Sequence, residues 1–362
     1  MNKIEELILR ELAASERSLW ELLEASQFPL KDFLRAIEGL RAKGLVAPTA
    51  RGVGLTRKGA KVIDDRSTSY ASSVCDRCSG KGILPKGKFE EALLEFKELV
   101  KDRPSPSLSF FQGYMREEDV VARAALMHLR GDLHRREIVL IGDDDLLSIA
   151  LCLTDLPSRV CVLDVDERLG NFIKKVGREQ GFDVEFRKYD VSEPLPKDLI
   201  GAFDVFSSEP LETLSGLRAF VARGVGCLRE NGAGYFGLTL LEASLKKWLA
   251  IERLLLAMNC VITDVIRDFS RYPTKYGELS YETFVENLSF PVGENPGIDW
   301  YKAALFRFEA MGKPKLVIAP TKKLRISYVD AEEDITYPAR IRTSGPNQLP
   351  QKVGGKVPFS RL

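Results

Sequence analysis

The stretch Ile138-Val139-Leu140-Ile141-Gly142-Asp143-Asp144-Asp145-Leu146-Leu147 is an apolar strand that runs into one glycine and then three consecutive carboxylates. In a doubly wound α/β domain the first strand-to-helix turn receives a nucleotide-like ligand, and it normally uses glycines so that the backbone can approach. Here it carries acid. Three adjacent carboxylates beside a helix N-terminus repel one another unless water or a cation neutralises them. The expected counter-ion is a metal or a polyamine.

Around this segment the pattern alternates strand and helix from about 111 to 319. Strands are expected at 138–141, 160–163, 184–186, 203–206, 234–240, 261–267 and 315–319. Helices are expected at 145–153, 167–180, 212–229 and 243–257. Such βαβ alternation predicts a mainly parallel sheet with helices on both faces, a doubly wound Rossmann-like domain.

Ahead of it, Ile4, Leu7, Ile8 and Leu12 share one helical face, Ser18-Leu19-Trp20-Glu21 fits a capping box, and Pro29 reads as the first residue of a third helix ending at Gly44. Two short strands, Leu45–Ala47 and Val53–Thr56, then flank a turn at Arg51-Gly52. Three helices and a hairpin predict a small winged-helix domain over 1–66. Its role stays open between DNA binding and protein interaction or dimerisation, and only Lys31, Arg35, Arg41 and Lys43 lie on or after its third helix. A connector follows over 67–110, with a helix near 89–100 and the segment Cys75-Asp76-Arg77-Cys78-Ser79-Gly80-Lys81-Gly82. The two thiols have the spacing of half a zinc knuckle but no second pair, so metal, a local disulfide and free thiols all remain open. The Rossmann-like domain is assigned to 111–325, and an acidic segment with a proline- and glycine-rich tail to 326–362.

With 362 residues, 53 basic and 52 acidic side chains and a net charge of +1, the chain has no overall polyanion-binding signature, and nucleic acid is not an expected partner. No early apolar run approaches the roughly 20 residues that span a bilayer, which points to a cytoplasmic protein without membrane contact. Cys152, Cys161, Cys227 and Cys260 lie in apolar runs typical of buried thiols. The seven Asn and five Gln hint at a thermophilic source.

Ligands of such sheets bind outside the carboxyl ends of the strands. The second strand ends at Asp164, 22 residues past Gly142, where an acid can bind the two hydroxyls of a ribose. The third is followed by Asp190, which could accept from an adenine amino group. The fourth ends in Ser207-Ser208-Glu209-Pro210-Leu211-Glu212.

That fourth site resembles the Asp/Asn-Pro-Pro-aromatic motif by which amine methyltransferases hold a target nitrogen, and the sheet resembles their class I fold. Two features differ. The first turn lacks GxGxG, and its aspartates would repel the carboxylate of S-adenosylmethionine. Glu212 stands where an aromatic ring would stack on a planar amine. Both suit a donor without a carboxylate and an aliphatic polycation as acceptor. With Gly142-Asp143-Asp144-Asp145, the acid-Pro motif, Trp300-Tyr301 before a helix and the acidic C-terminus, the chain resembles the branched-chain polyamine synthases over nearly its whole length. It departs from their Asp-Pro-Pro-Glu-Thr form, reading Glu209-Pro210-Leu211-Glu212-Thr213.

The resemblance implies transfer of aminopropyl groups from decarboxylated S-adenosylmethionine, a co-substrate, to the central nitrogen of spermidine. The products would be N4-aminopropyl- and N4-bis(aminopropyl)spermidine and methylthioadenosine, with no cofactor and no metal, in a homodimer. Asp144 or Asp143 is expected as base, since crowding raises carboxylate pKa values. Asp145 and Glu209 would steer the acceptor, with Glu212 in support. Asp164, Asp190 and Gln112 would hold the donor, and Asp330–Asp334 could close as a lid. The alternatives are an S-adenosylmethionine-dependent amine or nucleic-acid N-methyltransferase, which should show a basic groove and an aromatic at 212, and a DNA-binding regulator whose α/β domain senses a metabolite.

Overall fold

The computed structural model describes residues 1–26, 28–63, 72–277 and 279–329 and the backbone of 340–341. The expected lid, Asp330–Asp334, lies outside the described residues.

The chain begins with helices α1 (Lys3–Ala14), α2 (Leu19–Ala25) and α3 (Leu30–Ala42). Capping boxes start the first two, from Asn2 to Glu5 and from Ser18 to Glu21. Pro29 is the residue before α3 rather than its first turn, because its ψ of 133° is extended. Strands β1 (Val46–Thr49) and β2 (Gly52–Leu55) form an antiparallel hairpin. This unit packs onto the remainder through Trp20, whose ring meets Phe284 and Trp300 and whose indole N–H donates to the Gly293 carbonyl at 2.9 Å. On and after α3, Arg41 donates to Ser289 and Lys43 pairs with Glu5.

Next come α4 (Lys88–Leu99), α5 (Glu117–Leu129), β3 (Glu137–Ile141), α6 (Leu147–Cys152), β4 (Arg159–Asp164), α7 (Glu167–Gln180), β5 (Val184–Lys188), β6 (Phe203–Ser208), α8 (Leu214–Cys227), β7 (Leu228–Thr239), α9 (Leu245–Ala257), β8 (Cys260–Tyr272) and β9 (Tyr301–Ala310). The seven-stranded sheet runs β5-β4-β3-β6-β7-β9-β8, with the first five strands parallel and β9 antiparallel to both neighbours. Side chains alternate across each strand. Ile138, Leu140, Val160 and Val162 enter the core that holds α5, α6 and α7. Val139, Ile141, Cys161 and Leu163 enter the core that holds α8 and α9. Burial on both faces is why the strand sequences read as continuous apolar runs.

The structure departs from expectation in two further segments. The segment after Trp300 is strand β9 and not a helix, because Phe306 and Phe308 pack into one core while Leu305 enters the other. Residues 315–319 form no strand. Prolines 314 and 320 flank them, and the buried Arg223 guanidinium takes up the Pro320 and Lys322 carbonyls at 2.7 and 2.6 Å.

Candidate active site

The turn after β3 is built by two left-handed residues, Gly142 (φ 75°) and Leu146 (φ 60°), which fold the three aspartates back across the strand end. Each aspartate takes a different backbone partner. Asp143 is buried; its Oδ1 accepts from the Ser148 N–H at 3.2 Å, and its own N–H donates to Asp164 at 2.9 Å. Asp145 is also buried and accepts from the Met115 N–H at 2.6 Å. Asp144 accepts from Gly113 N–H at 3.2 Å and is the one of the three that lines the cavity.

That cavity, of about 240 Å³, lies at the carboxyl ends of β3, β4 and β6. Among the described residues its wall carries Asp144, Asp164, Asp190, Glu209, Glu212 and Glu242 against Lys247. Such a preponderance of carboxylates in a concave site favours a cationic ligand. The lysine donates to the Glu242 carbonyl at 3.0 Å.

Burial, then the charges of Asp145 and Asp164, drives the Asp144 carboxyl well above the usual carboxylate range. Burial does the same to Asp143. Asp145 is pushed up to about 7 by burial and by Glu209, against the Met115 N–H. Glu212, also lifted to about 7 by burial, accepts from the Thr239 N–H at 2.6 Å and from the Thr239 hydroxyl, bonds that oppose the rise.

Glu209 is held from two sides. Arg123 on α5 donates to Oε1, and the Tyr272 hydroxyl at the end of β8 donates to Oε2 at 2.5 Å. Tyr272 is fixed in turn by its neighbour Arg271, whose backbone and guanidinium both bond the buried Asp119, itself paired with Lys81 at 3.1 Å.

At the opposite end, Asp164 accepts from the Asp143 and Asp166 N–H groups at 2.9 and 2.8 Å and still faces the cavity. Gln112 also lines it; its amide donates to Asp166 at 2.9 Å, and its oxygen accepts from Ser107 N–H and from Arg168. Asp190 lines the same end and accepts from Ser192 N–H at 2.8 Å. Phe111 and Tyr328 stack over this end at 5.8 Å between ring centroids. Ser327, beside Tyr328, is tethered by the Thr213 hydroxyl, which donates to its carbonyl at 2.6 Å, and by the Ser215 hydroxyl, which accepts from its N–H at 2.8 Å.

Six of the eight residues singled out from sequence therefore share one cavity, while Asp143 and Asp145 stand behind it. Sequence reading missed Arg123, Asp166 and Tyr272. The signal for Arg123 was present, a lone cation in the apolar run Val120-Val121-Ala122-Arg123-Ala124-Ala125. A charge on such a face must find a buried partner. Cys75 and Cys78 are free thiols. Among the described residues no group of three or more His, Cys, Asp or Glu side chains is placed to hold a metal ion. Nor is any described helix long and apolar enough to cross a membrane.

Fold and site together define a Rossmann-like α/β protein with one cleft at its strand ends, rich in carboxylates and closed by an aromatic pair at one end. Comparison with known proteins narrows this. Residues 91–334 match the family model described as the branched-chain polyamine synthase A C-terminal domain. The chain is 41% identical over 297 residues to the N(4)-bis(aminopropyl)spermidine synthase of Thermococcus kodakarensis, covering 81% of this chain and 84% of that one. It is 35% identical over 326 residues to the enzyme of the same name from Thermus thermophilus, covering 89% and 90%. A crystal structure of the Thermus thermophilus branched-chain polyamine synthase, in complex with N4-aminopropylspermidine and 5'-methylthioadenosine, superposes with a TM-score of 0.80 at 33% identity, covering 92% of this chain and 93% of that chain. The chain belongs to the branched-chain polyamine synthase family.

Proposed function

We infer that the protein transfers aminopropyl groups from decarboxylated S-adenosylmethionine to the central nitrogen of spermidine, once to give N4-aminopropylspermidine and again to give the N4-bis(aminopropyl) product. The observation that carries this reading is the cavity itself. One end offers Asp164, Asp190 and Gln112 beneath an aromatic stack, as a nucleoside requires, and the other offers Asp144, Glu209 and Glu212, as a polycation requires.

Asp144 is assigned as the base, because it alone of the three aspartates reaches the cavity. An alkylammonium titrates near 10, so the reacting nitrogen must be stripped of a proton. Its lone pair then attacks the aminopropyl carbon on sulfur, the N–C bond forms, the C–S pair returns to sulfur, and methylthioadenosine leaves. That ammonium proton is lost to solvent as the nitrogen enters as the free amine, and in the first transfer the remaining N–H proton, acidified by the attack, passes to Asp144, whose raised pKa suits it to receive one. The second transfer makes a quaternary nitrogen and releases no proton after attack. Asp143 and Asp145 shape the turn from behind, and aligned positioning of nitrogen, carbon and sulfur supplies much of the rate. A donor bearing a carboxylate would set that group against the acids of the turn, which favours the decarboxylated form.

The test is incubation of the purified protein with spermidine and either decarboxylated S-adenosylmethionine or S-adenosylmethionine, with mass spectrometry of the polyamines. One or two aminopropyl additions with the decarboxylated donor alone support the reading. Methylated product, or none with either donor, overturns it.

A further inference from the structure

The mechanism above uses Glu209 and leaves unexplained why a site for polycations holds a fully buried guanidinium against it. Arg123 is 1% exposed. One of its terminal nitrogens, Nη2, reaches both Glu209 Oε1 and the Ser270 hydroxyl, the latter at 3.2 Å. The Tyr272 hydroxyl occupies the other carboxylate oxygen. Strand β7 presses Gly237 against the same carboxylate, so its rotamer is confined from a third direction. A carboxylate has about four lone-pair sites. With two taken and its charge already matched, Glu209 retains capacity to accept a hydrogen bond but little to attract a second full cation.

We propose that Arg123 is a positioning residue that offsets the charge of Glu209, so that the reacting nitrogen is received beside it as a neutral amine with its lone pair turned toward the donor carbon. This rests on the aminopropyl-transfer reading. A bare Glu209 would hold an ammonium at that point, which binds well and cannot attack. The same polyamine thus meets two kinds of acid: Glu209, with the base Asp144, beside the nitrogen that reacts, and the remaining unmatched carboxylates of the wall beside those that stay charged. The charged and titratable groups facing the pair are Asp144 and Asp145 from the turn after β3, Glu212 from the acid-Pro loop, Tyr272 from β8, and Arg103, which acts on Asp145. All of them persist in the variants below; Asp144 and Asp145 respond to the charge of Glu209, and Asp145 also to that of Arg123, so the limb is compared among all three variants rather than read from one.

The experiment is the pH dependence of kcat at saturating donor and acceptor, which reports groups in the bound complex, in three variants. Arg123→Met should move the acid limb about one pH unit upward and lower kcat at neutral pH about tenfold, with acceptor KM unchanged or reduced. Glu209→Gln, which leaves the guanidinium charge uncompensated, should move the limb the opposite way. Arg123→Lys should keep the wild-type limb while kcat falls. An Arg123→Met enzyme with raised KM and an unmoved limb would show a packing role alone and overturn the proposal. If that variant does not fold, Glu209→Gln decides, and a limb unmoved or shifted upward overturns it. Absence of aminopropylated product from the wild type would instead overturn the underlying function.

Discussion

Gly237 leaves the space that Glu209 fills: a β-carbon on Gly237 would stand 1.9 Å from Glu209 Oε2. The obstruction is the end of a movable side chain and not backbone, so alanine should be tolerated by the fold at a cost of about 1–3 kcal/mol. Glu209 would have to swing away from Arg123 and Tyr272. Gly237→Ala is expected to lower kcat/KM for the acceptor at least tenfold while methylthioadenosine binding, measured by calorimetry, stays within twofold. Unchanged acceptor kinetics would show that the position of Glu209 does not matter.

Asp144→Asn should reduce kcat by about 10²- to 10⁴-fold, the range expected when a general base is lost. Asp143→Asn should cost far less. Its side chain is buried, and an amide oxygen can still accept from the Ser148 N–H. Single-turnover rates for the two variants check the assignment, and equal losses would reject it.

The donor end gives a separate expectation. Both Asp164 oxygens accept from backbone N–H groups, of Asp143 and Asp166. Asparagine at 164 must turn an amide N–H toward one of them. Methylthioadenosine affinity should therefore fall by about 1–3 kcal/mol, since one donor is left facing another. Calorimetric titration of the variant provides the test, with spermidine binding as the internal control.

Glu212 should leave a signature in stability against pH. Its folded pKa of about 7 lies above the ordinary carboxylate value, so the folded state binds its proton more tightly than the unfolded chain does. Its contribution to stability is complete below the unfolded pKa near 4 and is lost as pH rises through 7. Glu212→Gln cannot titrate. Relative to wild type it should gain stability, on the order of 1 kcal/mol, between pH 4 and 8 in denaturant titrations without substrate. A difference that is flat with pH would contradict the assignment.

The readable parts of this fold are those whose determinants are local. Helix α7 falls on its expected span, 167–180, and its bounds are local: Asp166 caps its start and Gly181, at φ 73°, ends it. The alternation of β3 and β4 between two cores left an apolar run that admits little other reading. Strand β9 depends on partners far along the chain, β7 and β8, and nothing within 301–310 announces that it lies antiparallel between them. Residues 315–319 have the composition of a strand, but their flanking prolines and the grip of Arg223 on the carbonyls that follow rule the backbone there. In the site, acids at strand ends were legible because topology alone brings those ends together. Arg123 and Tyr272 reach Glu209 across 86 and 63 residues, a pairing that only the packed sheet creates.

Thr213 caps α8 through Gly216 and, with the same hydroxyl, holds the carbonyl of Ser327 next to Tyr328, which stacks on Phe111 at the Asp164 and Asp190 end of the cavity. It also follows directly on Glu212 in the acid-Pro loop. One hydroxyl thereby joins the segment that carries Tyr328 to the loop that carries Glu209 and Glu212. Any factor by which a bound donor changes acceptor affinity must be returned by the acceptor to the donor in equal measure, so the two ends share one coupling free energy whatever its size.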